Sequence, residues 1–197
     1  MTNTAWRMAL SLMHAIDAIN RRVGRAMVWP ILGAVLVSAG NALSRKAFDL
    51  SSNAMLELQW YLFGLAFLGA AGYVLLVDEH VRVDAVAQYL SSRVRATVDI
   101  ALLVACVLPL TALIGWLGWG LTAQAWVSGE VSSNAGGLVR WPAYACIPLG
   151  MVLLGAQAVA EVVRRAAWLA GRQPAPSRSE DDLPPLFDPA PGGPKVR

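Results

Sequence analysis

Few side chains in this sequence have the type and spacing that chemistry requires. Its only histidines are His14 and His80, and its only cysteines, Cys106 and Cys146, both fall inside apolar runs. Histidines this far apart form no ligand motif, and cysteines among apolar residues are typical of packing positions rather than of a disulfide framework. We recognise no nucleophile–base pair, no phosphate-binding loop and no metal motif. The sequence therefore predicts a protein that is not an enzyme and that holds no cofactor of its own.

One redox function stays open as the alternative. In a membrane-anchor subunit of a redox enzyme complex, His14 and His80 would serve as ligands, or Cys106 and Cys146 as a dithiol. An absorption spectrum separates this redox function from that of a scaffold protein without a cofactor, because a haem protein shows a Soret band and a scaffold protein is colourless.

The composition indicates an integral membrane protein. The 197 residues are 56% apolar and only 15% charged, with a mean hydropathy of +0.50. A soluble domain carries about a quarter charged residues. The net charge of +3 is modest and lies in the tails and one loop, which fits a membrane surface and membrane lipids better than a nucleic-acid partner.

Four apolar segments are long enough to cross a bilayer, at residues 26–43, 58–77, 100–127 and 141–160. The second is the clearest, because its twenty uncharged residues would extend about 30 Å as a helix, the thickness of one hydrocarbon core. The third lies in an uncharged run, Ile100 to Gly129, that is too long for one perpendicular span, and Pro109 is its expected kink point. The fold class predicted is an all-α integral membrane protein with four transmembrane helices in residues 1–170.

Polar and small residues predict how these spans meet. Ala34, Ser38 and Ala42 form a small-residue stripe in the first span, where another helix can approach closely. Asn41 either bonds across a helix interface or is hydrated. In the fourth span Pro148 predicts a bend, and Gln157 should point toward protein rather than lipid.

The second span has a distinct face. Glu57, Tyr61, Gly64 and Leu68 fall on one stripe, and Asn53 is the expected N-cap. Glu57 lies in the first turns of the helix, where the macrodipole favours an anion. It either pairs with Arg45 or Lys46 or is a solvated interfacial acid, and the residues leave both open.

Two amphipathic helices are expected outside the spans. Within residues 1–25 an apolar stripe recurs at steps of four and three, with Asn20 off it; its members are Ala5, Ala9, Leu12, Ile16, Ile19 and Val23. We interpret it as a helix in the membrane interface, with a packed lead-in helix as the alternative. A second, mid-chain interfacial helix should begin at Asp84, which is suited to cap it.

The C-terminal tail differs from the rest of the chain. Seven of the eleven prolines lie between Pro174 and Pro194, so residues 171–197 are predicted to be a disordered, proline-rich cytoplasmic tail. Thirteen of the sixteen basic residues fall on the side of the two termini and the middle loop, and three on the other side. Both termini are therefore predicted to be cytoplasmic.

None of the four spans contains Lys, Arg, Asp, Glu or His. Because ion and proton routes are usually marked by such groups, the spans do not predict a transport path of their own. A scaffold or accessory subunit fits better.

The sequence resembles a known family, the small permease subunit of tripartite ATP-independent periplasmic (TRAP) transporters. The resemblance runs from about Val28 to Arg165. Its motifs are Ser44-Arg45-Lys46-Ala47-Phe48, Asn53, Glu57, Gln59-Trp60-Tyr61-Leu62-Phe63-Gly64, Gly69-Ala70-Ala71 and His80-Val81-Arg82-Val83-Asp84. The chain departs from the family pattern just before Glu57, where Met55 and Leu56 replace a second acid or a Trp-Ser pair.

The resemblance implies a function and partners. Such a subunit braces a large membrane subunit that holds the substrate and sodium sites, in the inner membrane of a bacterium. A periplasmic solute-binding protein delivers the substrate, commonly an organic acid. The residues that the resemblance places at partner interfaces are Arg45, Glu57, Trp60, Gly64, His80, Arg82 and Asp84.

Overall fold

A computed structural model describes residues 2–77 and 91–172. All regular secondary-structure elements in these residues are helices. They are α1 (Thr2–Ala26), α2 (Val28–Phe48), α3 (Asn53–Leu76), α4 (Ser92–Leu102), α5 (Leu108–Ser128) and α6 (Trp141–Leu169). Four helical stretches are long and apolar enough to cross a membrane: Trp6–Phe48, Asn53–Leu76, Ser92–Ser128 and Trp141–Leu169. The predicted all-α membrane fold with four spans is confirmed.

The first stretch consists of two helices joined at Met27. The N–H of Met27 is shared between the carbonyls of Val23 and Gly24, at 3.1 and 3.2 Å. Pro30 lies in the first turn of α2, where its missing N–H removes no hydrogen bond that a free helix start would make. The proline therefore separates α2 from α1 without a loop.

The third stretch is continuous from Ser92 to Ser128, but one π-helical turn, Leu103–Val107, interrupts it. Pro109 follows directly, in the first turn of α5. A proline ring would clash with the carbonyl four residues earlier, and a π turn widens the backbone at that place. The predicted kink point is thus accommodated by a π turn immediately before it.

Helices α5 and α6 are held together by small residues. A stripe on α5 faces α6; its buried members are Thr111, Gly118, Thr122 and Ala125. A Cβ on Gly118 would lie 2.7 Å from the side chain of Ile147, so only glycine allows this approach. Gly115 and Gly155 make the next contacts, against Met151 and Thr111. This stripe was not predicted from the sequence, although it repeats at steps of four and three.

Helix α6 is the centre of the bundle, since α1, α3 and α5 all pack on it. Gly150 meets α3 so closely that a Cβ there would lie 2.8 Å from the Cβ of Leu68. Further along, Leu75, Leu103 and Ala158 form a small buried cluster between α3, the π turn and α6. Pro148 lies inside α6, as the sequence places it.

The α2–α3 connection differs from expectation in its cap. Ser52, not Asn53, precedes the first helical residue of α3, and its side chain makes no capping bond. Asn41, buried on α2, accepts a hydrogen bond of 3.2 Å from the Ser52 N–H. The predicted N-cap at Asn53 is therefore wrong, because Asn53 is itself the first residue of α3. Its side-chain N–H donates to the carbonyl of Ala135. Of the predicted stripe on α2, Ala34 is buried and Ala42 is exposed.

Candidate functional site

The connection between α5 and α6 is folded rather than loose. The N–H of Ser132 donates to the carbonyl of Leu138 at 2.9 Å, and the N–H of Arg140 donates to the carbonyl of Glu130 at 3.0 Å. Gly129 ends α5 with a φ of 64°, and Gly136 turns the chain back with a φ of 71°. Both glycines adopt the left-handed conformation that side chains disfavour. We call residues 130–140 the outer hairpin.

Glu57 holds the outer hairpin onto α3. Its carboxylate accepts hydrogen bonds from the Asn134 amide and the Leu138 N–H, both at 2.7 Å, and from the Ser132 hydroxyl. Neither expected role of Glu57 is observed, since it is neither paired with Arg45 or Lys46 nor simply solvated. The sequence could not reveal this, because the partners lie 75 to 81 residues away.

Two neighbours of Glu57 on the same face of α3 bind the same hairpin. The Asn53 amide donates to the Ala135 carbonyl at 3.2 Å, and the Tyr61 hydroxyl donates to the Val139 carbonyl at 3.3 Å. Residues spaced by four lie one turn apart on a helix. The predicted stripe through Glu57 and Tyr61 therefore faces a structural partner within the chain.

The rim of the hairpin is held by weaker contacts. Arg140 pairs with Glu130 at 3.0 Å, with both side chains more than a third exposed. Trp126 meets Trp141 edge to face, with ring centroids 4.7 Å apart. Exposed ion pairs contribute little, so we assign the position of the hairpin mainly to the Glu57 face. Trp116 and Trp119 remain exposed, as expected of an aromatic belt.

At the other end of the bundle, polar groups connect α1 to α6. Gln157 is fully buried and donates to the Asp17 carboxylate at 2.9 Å, while its own oxygen accepts from the Asn20 amide at 2.8 Å. Arg164 bridges Asp17 at 2.5 Å and Glu161 at 2.7 Å. The prediction that Gln157 points toward protein is confirmed.

The same cluster continues to α4. Glu161 and Arg165, 4% and 6% exposed, pair with each other, and Arg165 also reaches Asp99 at 3.2 Å. We call the set Asp17, Asn20, Asp99, Gln157, Glu161, Arg164 and Arg165 the inner network. The buried charges were not predicted from the sequence, in which Arg164 and Arg165 count only among the basic residues that indicate topology. The charges lie just beyond the predicted end of the fourth span, and the i,i+4 spacing of Glu161 and Arg165 was the available signal.

The inner network explains how α1 is placed. Its polar face, with Asn20, is turned inward, whereas Leu12 and Ile19 of the apolar stripe are exposed. Gly24 lies against Tyr73, where a Cβ would come within 2.3 Å, and Arg172 stacks over the Trp6 ring at 5.2 Å. Helix α1 therefore packs along α6 and the end of α3. Its position relative to the membrane interface stays a prediction.

The predicted interface residues fall into three groups. Glu57 is used within the chain, whereas Arg45 and Trp60 are exposed, and Gly64 faces open space. His80, Arg82 and Asp84 lie outside the described residues, as does the expected start of the mid-chain interfacial helix; its later part, from Ser92, begins α4. The tail after Arg172 is likewise outside them.

Of the four side chains that could act as ligands or as a dithiol, His80 lies outside the described residues and the other three do not come together. His14 and Cys106 are exposed on different helices, and the Cys146 thiol donates to the Pro142 carbonyl at 3.3 Å. Within residues 2–77 and 91–172, no group of three or more His, Cys, Asp or Glu side chains is placed to hold a metal ion.

The comparison with known families decides the family of the chain. The model of the family described as "Tripartite ATP-independent periplasmic transporters, DctQ component" matches residues 34–167, about two thirds of the chain. The chain belongs to the DctQ family. The match covers α2 to α6 almost completely, so the outer hairpin and most of the inner network lie inside the family domain. No curated protein and no solved structure gave a significant match.

The DctQ assignment confirms the resemblance seen in the sequence and makes the chain a component of a transporter rather than a member of an enzyme class. With four helices able to span a bilayer, it is a multi-pass membrane protein. It is therefore the small membrane subunit of a TRAP-type transporter.

Replacing Glu57 by Ala should release the outer hairpin, because three hydrogen bonds end on its carboxylate. Hydrogen exchange at the Leu138 amide, followed by mass spectrometry, should become faster by a factor on the order of ten. Glu130→Ala is the matched control, since it removes only the exposed pair with Arg140 and should change exchange less. Equal effects of the two variants would contradict the role assigned to Glu57.

Proposed function

We propose that this DctQ subunit is a rigid brace for the large, substrate-translocating subunit of its transporter. The large subunit would carry the sodium and substrate sites, and a periplasmic solute-binding protein would deliver the solute, an organic acid. On this proposal the small subunit binds no cofactor or ion itself, and its own helices do not move during transport.

The observation that carries the proposal is the way the buried polar groups are used. Across the described residues, the two buried charged side chains, Glu161 and Arg165, pair with each other. Gln157 and Asn20 are likewise used to join α1 to α6. Polar side chains that bond one helix to another favour a scaffold function, because a transport path needs polar side chains that face a cavity.

We further propose that the large subunit binds the outer face of α3, by which we mean the face that carries Trp60, Phe63, Gly64 and Phe67. Trp60, Phe63 and Phe67 are 73%, 61% and 71% exposed there, and Gly64 lies among them with open space at its Cβ position. Exposed aromatic side chains beside a glycine offer a helix of a partner both a flat contact and a close approach. Both Trp60 and Gly64 belong to the interface residues that the family resemblance implies.

Gly64→Leu should lower the amount of large subunit that copurifies with the tagged small subunit by about fivefold or more, since overpacking an interface costs about 1–3 kcal/mol. Gly120→Leu is the matched control, because Gly120 lies in α5 with equally open space. If both variants copurify with the large subunit as the wild type does, the outer face of α3 contacts lipid instead.

A cross-link inside the small subunit tests whether it is a static brace. A Cβ at Gly115 would lie 3.4 Å from that of Met151, close to the roughly 3.8 Å of a disulfide. In a background with Cys106→Ala and Cys146→Ala, oxidation of Gly115→Cys/Met151→Cys should lock α5 to α6. Sodium-driven uptake by reconstituted proteoliposomes should then stay within about twofold of the reduced protein.

Each single cysteine variant, oxidised alone, controls for chemical damage in this experiment. Uptake that is lost on oxidation of the double variant and restored by reduction would show that α5 and α6 must move, and would overturn the brace. If the large subunit takes up solute equally well without the small subunit, the proposed brace function is wrong.

For localisation we propose the inner membrane, with both termini in the cytoplasm, supported by the asymmetry of the basic residues. A reporter active only in the periplasm should be active when it is fused at Ser132 in the outer hairpin and inactive at Gln173. The reverse pattern, or labelling of a Ser132→Cys variant by a cytosolic reagent, would invert the topology.

A further inference from the structure

Three arginines lie close together at the end of α1. Arg21, Arg22 and Arg25 occupy its last two turns, with Arg22 and Arg25 exposed and Arg21 partly so. None of the three forms an ion pair with any residue in the described ranges 2–77 and 91–172. They differ in this from Arg164 and Arg165 of α6, whose charges are compensated within the inner network.

Their depth follows from the contact of α1 with α3. Gly24, next to Arg25, packs against Tyr73. Tyr73 lies four residues before Val77, where the apolar run of α3 ends, a distance of about 6 Å along a helix. Because an arginine side chain can extend from the edge of the hydrocarbon layer, the three guanidinium groups can reach the headgroup phosphates.

The exposed apolar side chains near the three arginines give a second indication of their depth in the membrane. Ile19, Val28 and Ile31 are each at least half exposed around the arginines. A surface that combines exposed aliphatic side chains with cations that have no ion pair among the described residues matches the boundary between acyl chains and phosphates. A water-exposed position would leave the aliphatic groups hydrated, and a deeper one would bury the charges.

We propose that Arg21, Arg22 and Arg25 form a binding surface for anionic phospholipid headgroups on the leaflet at the N-terminal side. Guanidinium groups suit this ligand, because their planar donors match phosphate oxygens. The inner network holds α1 against α6, so the arginines are presented at a fixed depth. The proposal does not depend on transport activity or on the brace function.

The test uses the full-length protein in nanodiscs of phosphatidylcholine alone or of an equimolar mixture with phosphatidylglycerol. Lipids retained after mild release are counted by native mass spectrometry. The wild type should retain phosphatidylglycerol in preference to phosphatidylcholine. The triple variant Arg21→Gln, Arg22→Gln, Arg25→Gln should lower that preference by about tenfold or more.

Two matched variants sharpen the result. The triple Lys replacement keeps the charges and should keep most of the preference. Arg45→Gln/Lys46→Gln removes two exposed charges at the opposite end of α2 and should lower the preference much less than the triple Gln variant does. If the triple Gln variant fails to fold, as judged by circular dichroism and gel filtration, Arg22→Gln and Arg25→Gln alone should each lower the preference about two- to fivefold.

Several outcomes would overturn the proposal. These are equal retention of both lipids by the wild type, an unchanged preference in the folded Gln variants, or an equal loss in the Arg45→Gln/Lys46→Gln control. Unchanged lipid retention together with loss of the large subunit from the triple Gln variant would assign this surface to protein contact instead.

Discussion

Polar side chains buried between membrane helices must find their partners inside the protein, and α6 meets this constraint at both of its ends. At its inner end the carboxamide of Gln157 and the charges of Glu161 and Arg165 are shared with α1 and α4. At its outer end the hairpin that leads into it is bound by the Glu57 carboxylate of α3. Removal of one member of a buried pair leaves the other uncompensated, at a cost of about 3–5 kcal/mol. These contacts therefore fix which helices meet.

Between the two ends, packing alone joins the helices. The α5 stripe from Thr111 to Ala125 and the glycines of α6 let backbones approach where a single methyl group would clash. Dispersion contacts of this kind replace the hydrophobic effect, which is absent between helices in lipid. Polar contacts at both ends and close packing between them favour a single arrangement of the bundle, which is the property that the proposed brace needs.

The outward surface has a different character. Large apolar side chains such as Trp60 and Phe67 on α3 and Trp29 on α2 are exposed, which lipid or a partner subunit can cover. The polar groups of the family motifs divide accordingly: Glu57 is used to build the subunit, whereas Arg45 stays on its surface. A motif residue shared by a family can thus serve folding rather than recognition.

The sequence by itself determined the fold class, the four spans and the family, because these depend on local properties. Twenty uncharged residues must be a helix in lipid, and motif order along α2 and α3 needs no knowledge of distant contacts. It also predicted that Gln157 faces protein, since an amide within a span has no partner in lipid. It did not find the partner of Glu57 or the inner network. Glu57 meets Leu138, and Asp17 meets Arg164, only after the chain has returned through several spans, so tertiary structure alone decided which polar groups are paired.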